Sequence, residues 1–178
     1  LIWAMNARGA GLTDRVYGPT FMRLACERSP EGLRHFLLGG SEACASALRE
    51  GFQKTNPALS IAGYDTRFFT SGESPDLIER IRASEAHLVW VGLGTPKQQQ
   101  FIAAAKRELP ERVFLSVGFA FDVNAGTKPD APPWMQRLGL TWLFRLASEP
   151  RRLLGRYLKW NTLFLWYLAQ QSIPRRSS

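Results

Sequence analysis

Three glycine-bearing segments stand out as places where an anion could meet the backbone. Gly39-Gly40-Ser41, Gly92-Leu93-Gly94-Thr95 and Gly118-Phe119-Ala120 each follow a short apolar run. Glycine lets a phosphate approach the main chain, and a helix starting there presents unpaired N–H groups to it. The segment Gly94-Thr95-Pro96-Lys97-Gln98 is the richest, joining a hydroxyl, a cation and an amide within one turn. Plain turn chemistry at strand ends is the competing reading. Neither G-x-G-x-x-G nor G-x-x-x-x-G-K-[ST] occurs, so the dinucleotide and P-loop signatures are missing.

A second group of residues lies near the carboxyl end. Arg152, Arg156 and Lys159 recur at i, i+4 and i+7, a helical stripe about 60° wide. Leu153, Tyr157, Trp160 and Phe164 supply an apolar band beside it. Such a pairing suits a helix on an anionic bilayer surface, or a cluster closing over a diphosphate; an ordinary solvated face is the third reading. Asp122 follows a strand end and reads as a general base, a ribose contact or a turn cap. Asp65, at another strand end, is a weaker candidate. His35 and His87 precede apolar strand residues and lack an H-x-x-x-H or H-E-x-x-H partner, so both read as structural rather than metal ligands. Cys26 and Cys44 form no C-x-x-C and read as reduced, buried residues. G-x-S-x-G is absent as well.

The elements that must position these residues alternate in type. Arg34–Leu38, Leu59–Tyr64, His87–Val91 and Arg112–Val117 are short apolar runs that suit buried strands. Between them fall helical spacings: Cys44, Ala47, Leu48 and Phe52 after a Ser41 cap, then Pro75–Arg82, then Phe101, Ile102 and Ala105 after Thr95 as N-cap and Pro96 at the first helical position. This order predicts an α/β, mostly parallel sheet with flanking helices over residues 1–130. The loop from Asn124 to Pro133 is rich in glycine and proline; after it, Trp134–Leu146 and Pro150–Leu168 read as two helices of a basic C-terminal appendage, residues 131–178.

Composition narrows the function classes. The chain has 178 residues, 45% hydrophobic and 21% charged, which excludes a disordered chain. Lys plus Arg number 23 against 15 acids, for a net +8. Residues 145–178 hold seven cations and one acid, so +6 of that charge is local and implies a local anionic partner. No recognisable nucleic-acid motif accompanies the excess, so a specific nucleic-acid partner is not expected. The longest apolar run, Leu163–Ala169, is far short of the roughly 20 residues of a spanning helix. The sequence opens at Leu1 within what reads as a structural element, and we expect a further N-terminal part.

Taken in order, Arg15-Val16-Tyr17-Gly18, Phe36–Gly40, Gly92–Gln98, Val117–Asp122 with Ala125-Gly126, Ala131-Pro132-x-Trp134, Gly139-Leu140-x-Trp142-Leu143-Phe144-Arg145-Leu146 and Glu149-Pro150-x-Arg152 resemble the WecG/TagA/CpsF glycosyltransferases over nearly the whole chain. The resemblance implies inverting transfer of an N-acetylhexosamine, typically N-acetylmannosamine, from its UDP form to a polyprenyl-diphosphate-linked acceptor. It implies a Rossmann-like fold whose C-terminal helical appendage, residues 131–178, docks to the membrane and completes the active site, no metal and no other cofactor, action in bacterial surface polysaccharide or teichoic acid synthesis, and a peripheral position on the cytoplasmic membrane face. It leaves room for a homo-oligomer. By carry-over, Gln98, Arg145, Arg152 and Arg156 are the catalytic candidates; Arg15, Gly40, Gly94, Thr95, Lys97 and Asp122 are the substrate-binding ones. Arg156 stands beside Gly155, where the family carries an arginine. Gln99, Asp130 and Thr141 replace the Glu, Arg and Glu usual at those positions, and the family's catalytic Asp belongs to a motif upstream of Leu1. A non-catalytic, membrane-associated nucleotide-sugar-binding module is the alternative reading.

Overall fold

The computed structural model of the protein describes residues 2–67 and 75–172. Leu1, Arg175 and Arg176, which figure in the sequence reading, lie outside the described residues. In chain order the elements are α1 (Ile2–Asn6), α2 (Gly18–Glu27), β1 (Arg34–Gly39), α3 (Glu42–Thr55), β2 (Ser60–Asp65), α4 (Pro75–Ala83) and β3 (Leu88–Gly92). They continue with α5 (Lys97–Glu108), β4 (Val113–Ser116), α6 (Ala120–Asn124), α7 (Pro133–Arg137), α8 (Thr141–Ser148) and α9 (Pro150–Ser172). Two compact units result, Leu1–Pro129 and Asp130–Ser178.

The first unit is the α/β body expected from the alternating runs. Among the described residues its four strands are all parallel, in the order β2-β1-β3-β4. Strand side chains alternate between faces, so adjacent residues of one strand feed two different cores. Leu37 and Trp90 join Met22, Cys26, Cys44, Leu48 and Phe121 on the face covered by α2, α3 and α6. Phe36, Leu38, Val89 and Val91 join Leu77, Ile81, Phe101 and Ala105 from α4 and α5 on the other. Each such large side chain, fully buried, contributes about 1.5–3 kcal/mol. Burial on both faces is why these strands read as unbroken apolar runs. Both cysteines are free and buried, as expected. Burial, with the charge of Glu27, pushes the Cys26 thiol up to about 12, and neither cysteine is expected to alkylate in the native fold at pH 8; thiol counting with and without denaturant checks this.

His35 bears out its structural reading. It is buried on β1, accepts a hydrogen bond from the Trp90 indole N–H at 3.0 Å through Nδ1, and faces Ser29 Oγ at 2.8 Å through Nε2. With Nδ1 accepting, the ring is neutral and Nε2 donates to the serine. Burial, aided by the charge of His87, lowers its pKa to about 4. A group whose folded pKa lies below its unfolded value contributes stability that is present above the unfolded value of 6.5 and is lost as pH falls toward 4. Denaturant melts across pH 4–7 are therefore expected to show an acid-side loss that shrinks in His35→Gln, whose amide takes no proton.

Two expectations need correction, and one helix escaped the sequence pattern. Thr95 does not cap α5: Pro96 occupies the flanking position in the right-handed helical region (φ −88°, ψ −4°), and the helix starts at Lys97. The stretch Trp134–Leu146 is two short helices rather than one, because Gly139 takes a left-handed φ of +73° between them. The helix α2 went unread. Its proline near the start and its buried Met22 and Cys26, spaced i, i+4, were the available signals.

Candidate functional site

In the order β2-β1-β3-β4 the chain leaves β1 outward to β2, then crosses back to β3 and β4. The crevice beyond the carboxyl ends of β1 and β3 is thus the topological switch point, where open parallel sheets bind ligands. Gly39 and Gly92 are register partners at those two ends. They are crowded against one another, since a Cβ on Gly39 would stand 2.9 Å from the Gly92 carbonyl carbon. The buried ring of Phe121 closes the floor: a Cβ on Gly92 would meet it at 2.8 Å, and one on Gly40 at 3.5 Å. Two strand ends and α6 therefore approach one another closely here, with glycines at the points of contact. Sequence reasoning missed Phe121 as a site element, because only the register shows what its ring supports.

Two long helices open onto this rim, and their starts differ in charge. At α3 the Ser41 side chain accepts from the Cys44 backbone N–H at 3.2 Å, and Glu42 lies in the first turn, where it also accepts from the Tyr64 hydroxyl. That end is already capped and carries an acid that offsets the helix dipole. At α5 there is no side-chain cap and no acid in the first turn, and the first residue is the exposed Lys97. A cation at the positive end of a helix is locally unfavourable by roughly 0.3–1 kcal/mol. A bound anion would reverse that sign. The start of α5, not that of α3, is the better anion cradle.

Gln98 anchors the same turn. Its side chain is buried, its Nε2 donates to Thr95 Oγ1 at 3.4 Å, and its Oε1 is buried without a hydrogen-bond partner. Leaving a buried carbonyl oxygen unpaired costs about 1–3 kcal/mol, recovered if a ligand N–H or O–H reaches it. The left-handed Gly118 (φ +54°) borders that oxygen, with its Cβ direction 3.8 Å away. Gly94 is also left-handed, φ +79°, with open space where a side chain would be. The Thr95-Pro96 peptide is cis, and Thr95 Oγ1 also accepts from Gln99 Nε2 at 3.3 Å.

Arg15 stacks its guanidinium 4.4 Å from the Tyr17 ring centroid, and Tyr17 contacts Phe119 of the β4–α6 turn at 6.3 Å. The structure thus ties Gly40, Gly94, Thr95, Lys97, Gln98 and Arg15 to the strand-end loops of the first unit. Asp122, on α6, has its carboxylate 2.9 Å from Lys128 Nζ, and its backbone carbonyl accepts from the backbone N–H groups of Thr127 and Lys128. This organises the loop after α6, the turn role weighed for it. Asp65 is not an open strand-end acid: its carboxylate is buried between Arg67 and Arg80. Burial alone would raise its pKa, but hydrogen bonds from Arg67 and the charge of Arg80 hold it below the usual carboxylate range.

The remaining candidates belong to the second unit. Arg145 lies on α8; Arg152 and Arg156 lie on α9, with Arg152 ion-paired to Glu149 one turn back. Among the described residues no group of three or more His, Cys, Asp or Glu could hold a metal ion, and no helix is long and apolar enough to cross a membrane. The ordered motifs, the parallel sheet and the switch-point crevice agree with a comparison over the whole length of the chain. Residues 1–178 match the model of the glycosyl transferase WecG/TagA/CpsF family, and the chain belongs to that family.

Proposed function

We propose that the protein transfers an N-acetylhexosamine, with N-acetylmannosamine the favoured sugar, from its UDP form to a polyprenyl-diphosphate-linked acceptor at an anionic membrane surface. The observation that carries this reading is the start of α5. An uncapped helix end, an exposed Lys97 and an unpaired buried Gln98 carbonyl oxygen converge beside two left-handed glycines. Such a turn suits a phosphate flanked by a sugar hydroxyl or amide. In an inverting displacement the acceptor hydroxyl attacks the anomeric carbon as the bond to the UDP oxygen breaks, and negative charge grows on the departing diphosphate. Guanidinium groups of Arg145, Arg152 and Arg156 would neutralise that charge without a divalent ion, aided by Thr95 and Lys97. Arg15, Gly40, Gly94 and Asp122 would line the donor site, and the attacking hydroxyl would give up its proton to a general base as it attacks.

The test is transfer by the full-length protein across a panel of UDP-N-acetylhexosamines. Gln98→Ala is expected to lower kcat/KM about tenfold to a hundredfold, one good hydrogen bond to a polar ligand group, with the melting temperature unchanged or higher because an unpaired buried carbonyl is removed. UDP binding without transfer of any of these sugars would make the protein a binding module instead.

A further inference from the structure

The turn that opens α5 holds a hydrogen-bond imbalance, and the imbalance defines the kind of group it takes. The backbone N–H groups of Gln98 and Gln99 are spent within the turn, on the carbonyls of Gly94 and Pro96. Pro96 itself has no N–H to give. Beside Lys97, side chains therefore decide what this turn accepts. Thr95 Oγ1 accepts from Gln98 Nε2 at 3.4 Å and from Gln99 Nε2 at 3.3 Å. A hydroxyl has two lone pairs and one proton. Both lone pairs of Thr95 are thus taken by amide donors, and its proton is left to point elsewhere. Among the described residues no protein acceptor takes that proton. Thr95 is exposed, so a ligand can.

Gln98 shows the opposite imbalance. The residue is 7% exposed, its Nε2 is engaged by Thr95, and its Oε1 has no partner. Gly118 borders that oxygen and puts no side chain over it. One turn therefore offers a spare proton on Thr95 and a spare lone pair on Gln98. Their separation decides which group can use both. Oε1 lies across a single amide from Nε2, so it stands within about 6 Å of Thr95 Oγ1. A ligand hydroxyl that accepts from one and donates to the other spans up to about 5.6 Å through its one oxygen. A trans secondary amide points its N–H and C=O in opposite directions, and its two partners stand roughly 7–8 Å apart. An ionised phosphate oxygen could take the Thr95 proton but has no hydrogen for Gln98 Oε1. The pair fits a hydroxyl.

We propose that Thr95 and Gln98 together read one hydroxyl of the transferred sugar, and that Gln99 is the positioning residue that keeps the Thr95 proton turned toward it. This rests on the nucleotide-sugar reading above, and it chooses the hydroxyl over the amide as the group beside the phosphate. A carboxylate at position 99 would accept and could not donate. It would draw the Thr95 proton to itself, and the ligand hydroxyl would then face two acceptors with a single proton.

The experiment measures, by calorimetry, the binding of UDP and of the tightest-binding UDP-N-acetylhexosamine of the panel above. The proteins are full-length wild type, Gln99→Glu, Thr95→Val and the double variant. Both positions are exposed, and thermal melts check that each variant folds. The readout is the affinity for the nucleotide sugar relative to that for UDP, since a new charge near the diphosphate weakens both alike. Each single variant is expected to lower that ratio at least about tenfold, the effect of one hydrogen bond to a polar ligand group. The double variant should fall no more than about twofold below Thr95→Val, because Gln99 acts through that hydroxyl. Among sugar analogues each lacking one hydroxyl, one should bind wild type about tenfold more weakly and bind Gln99→Glu equally well. The inference is overturned if Gln99→Glu binds as wild type does, if it weakens UDP as much as the nucleotide sugar, or if the two substitutions add. It is overturned too if no single deoxygenation removes the difference between wild type and Gln99→Glu. The expected binding pattern without transfer to any acceptor would count against the transferase reading alone.

Discussion

Replacing Arg152 with alanine is expected to lower turnover about a hundredfold to a thousandfold, the usual consequence of removing one well-placed donor to a developing anion. The fold should barely respond. Arg152 is a half-exposed residue of α9 whose ion pair is with Glu149, three residues back, and exposed pairs of this kind are worth about 1 kcal/mol or less. Activity and stability therefore separate cleanly at this position. Arg152→Lys should recover only part of the loss, because an ammonium keeps the charge but cannot offer two parallel N–H groups to a diphosphate. Steady-state transfer kinetics beside thermal melts check both halves; unchanged turnover in Arg152→Ala would remove Arg152 from the mechanism.

The second large effect is structural and lies under the crevice. Gly39→Ala is expected to destabilise the protein by about 2–4 kcal/mol, combining a strained backbone with overpacking. Gly39 has a φ of +116°, and its added Cβ would stand 2.9 Å from the carbonyl carbon and 3.0 Å from the oxygen of Gly92. Both are backbone atoms of the neighbouring strand, so relief requires β1 and β3 to part where the site forms. Gly94→Ala is the control. Its φ of +79° carries a similar conformational penalty, but nothing lies within 4 Å of the new methyl, and about 1–2 kcal/mol is expected. Equal losses for the two in denaturant titrations would mean that the close approach of the strand ends matters little.

These positions also indicate how far the sequence alone could reach. The four strands were legible because a parallel strand covered on both faces is an apolar run between turn residues, as His87–Val91 is before Gly92. The start of α5 was legible as a motif, since a hydroxyl, a cation and an amide within one turn need no tertiary information to be noticed. The crowding of Gly39 on Gly92 was not, because it depends on the register of two strands more than 50 residues apart. Nor was the full fate of Asp65, because Arg80 reaches it from α4 to join the nearby Arg67. On α9 the helix and its cation stripe follow from periodicity. Which apolar band stays open does not, because that depends on α8 taking up Tyr157 with Trp142.

The central claim is that arginine side chains do the electrostatic work of neutralising the leaving diphosphate. Its most direct test is the UDP-release rate of the full-length protein with a UDP-N-acetylhexosamine and a polyprenyl-diphosphate-linked acceptor, in EDTA and in magnesium, for wild type and for Arg152→Ala. Wild-type turnover is expected to be the same in both conditions and to collapse in the variant in both. Wild-type activity that vanishes in EDTA and returns with magnesium, with Arg152→Ala as active as wild type, would contradict it.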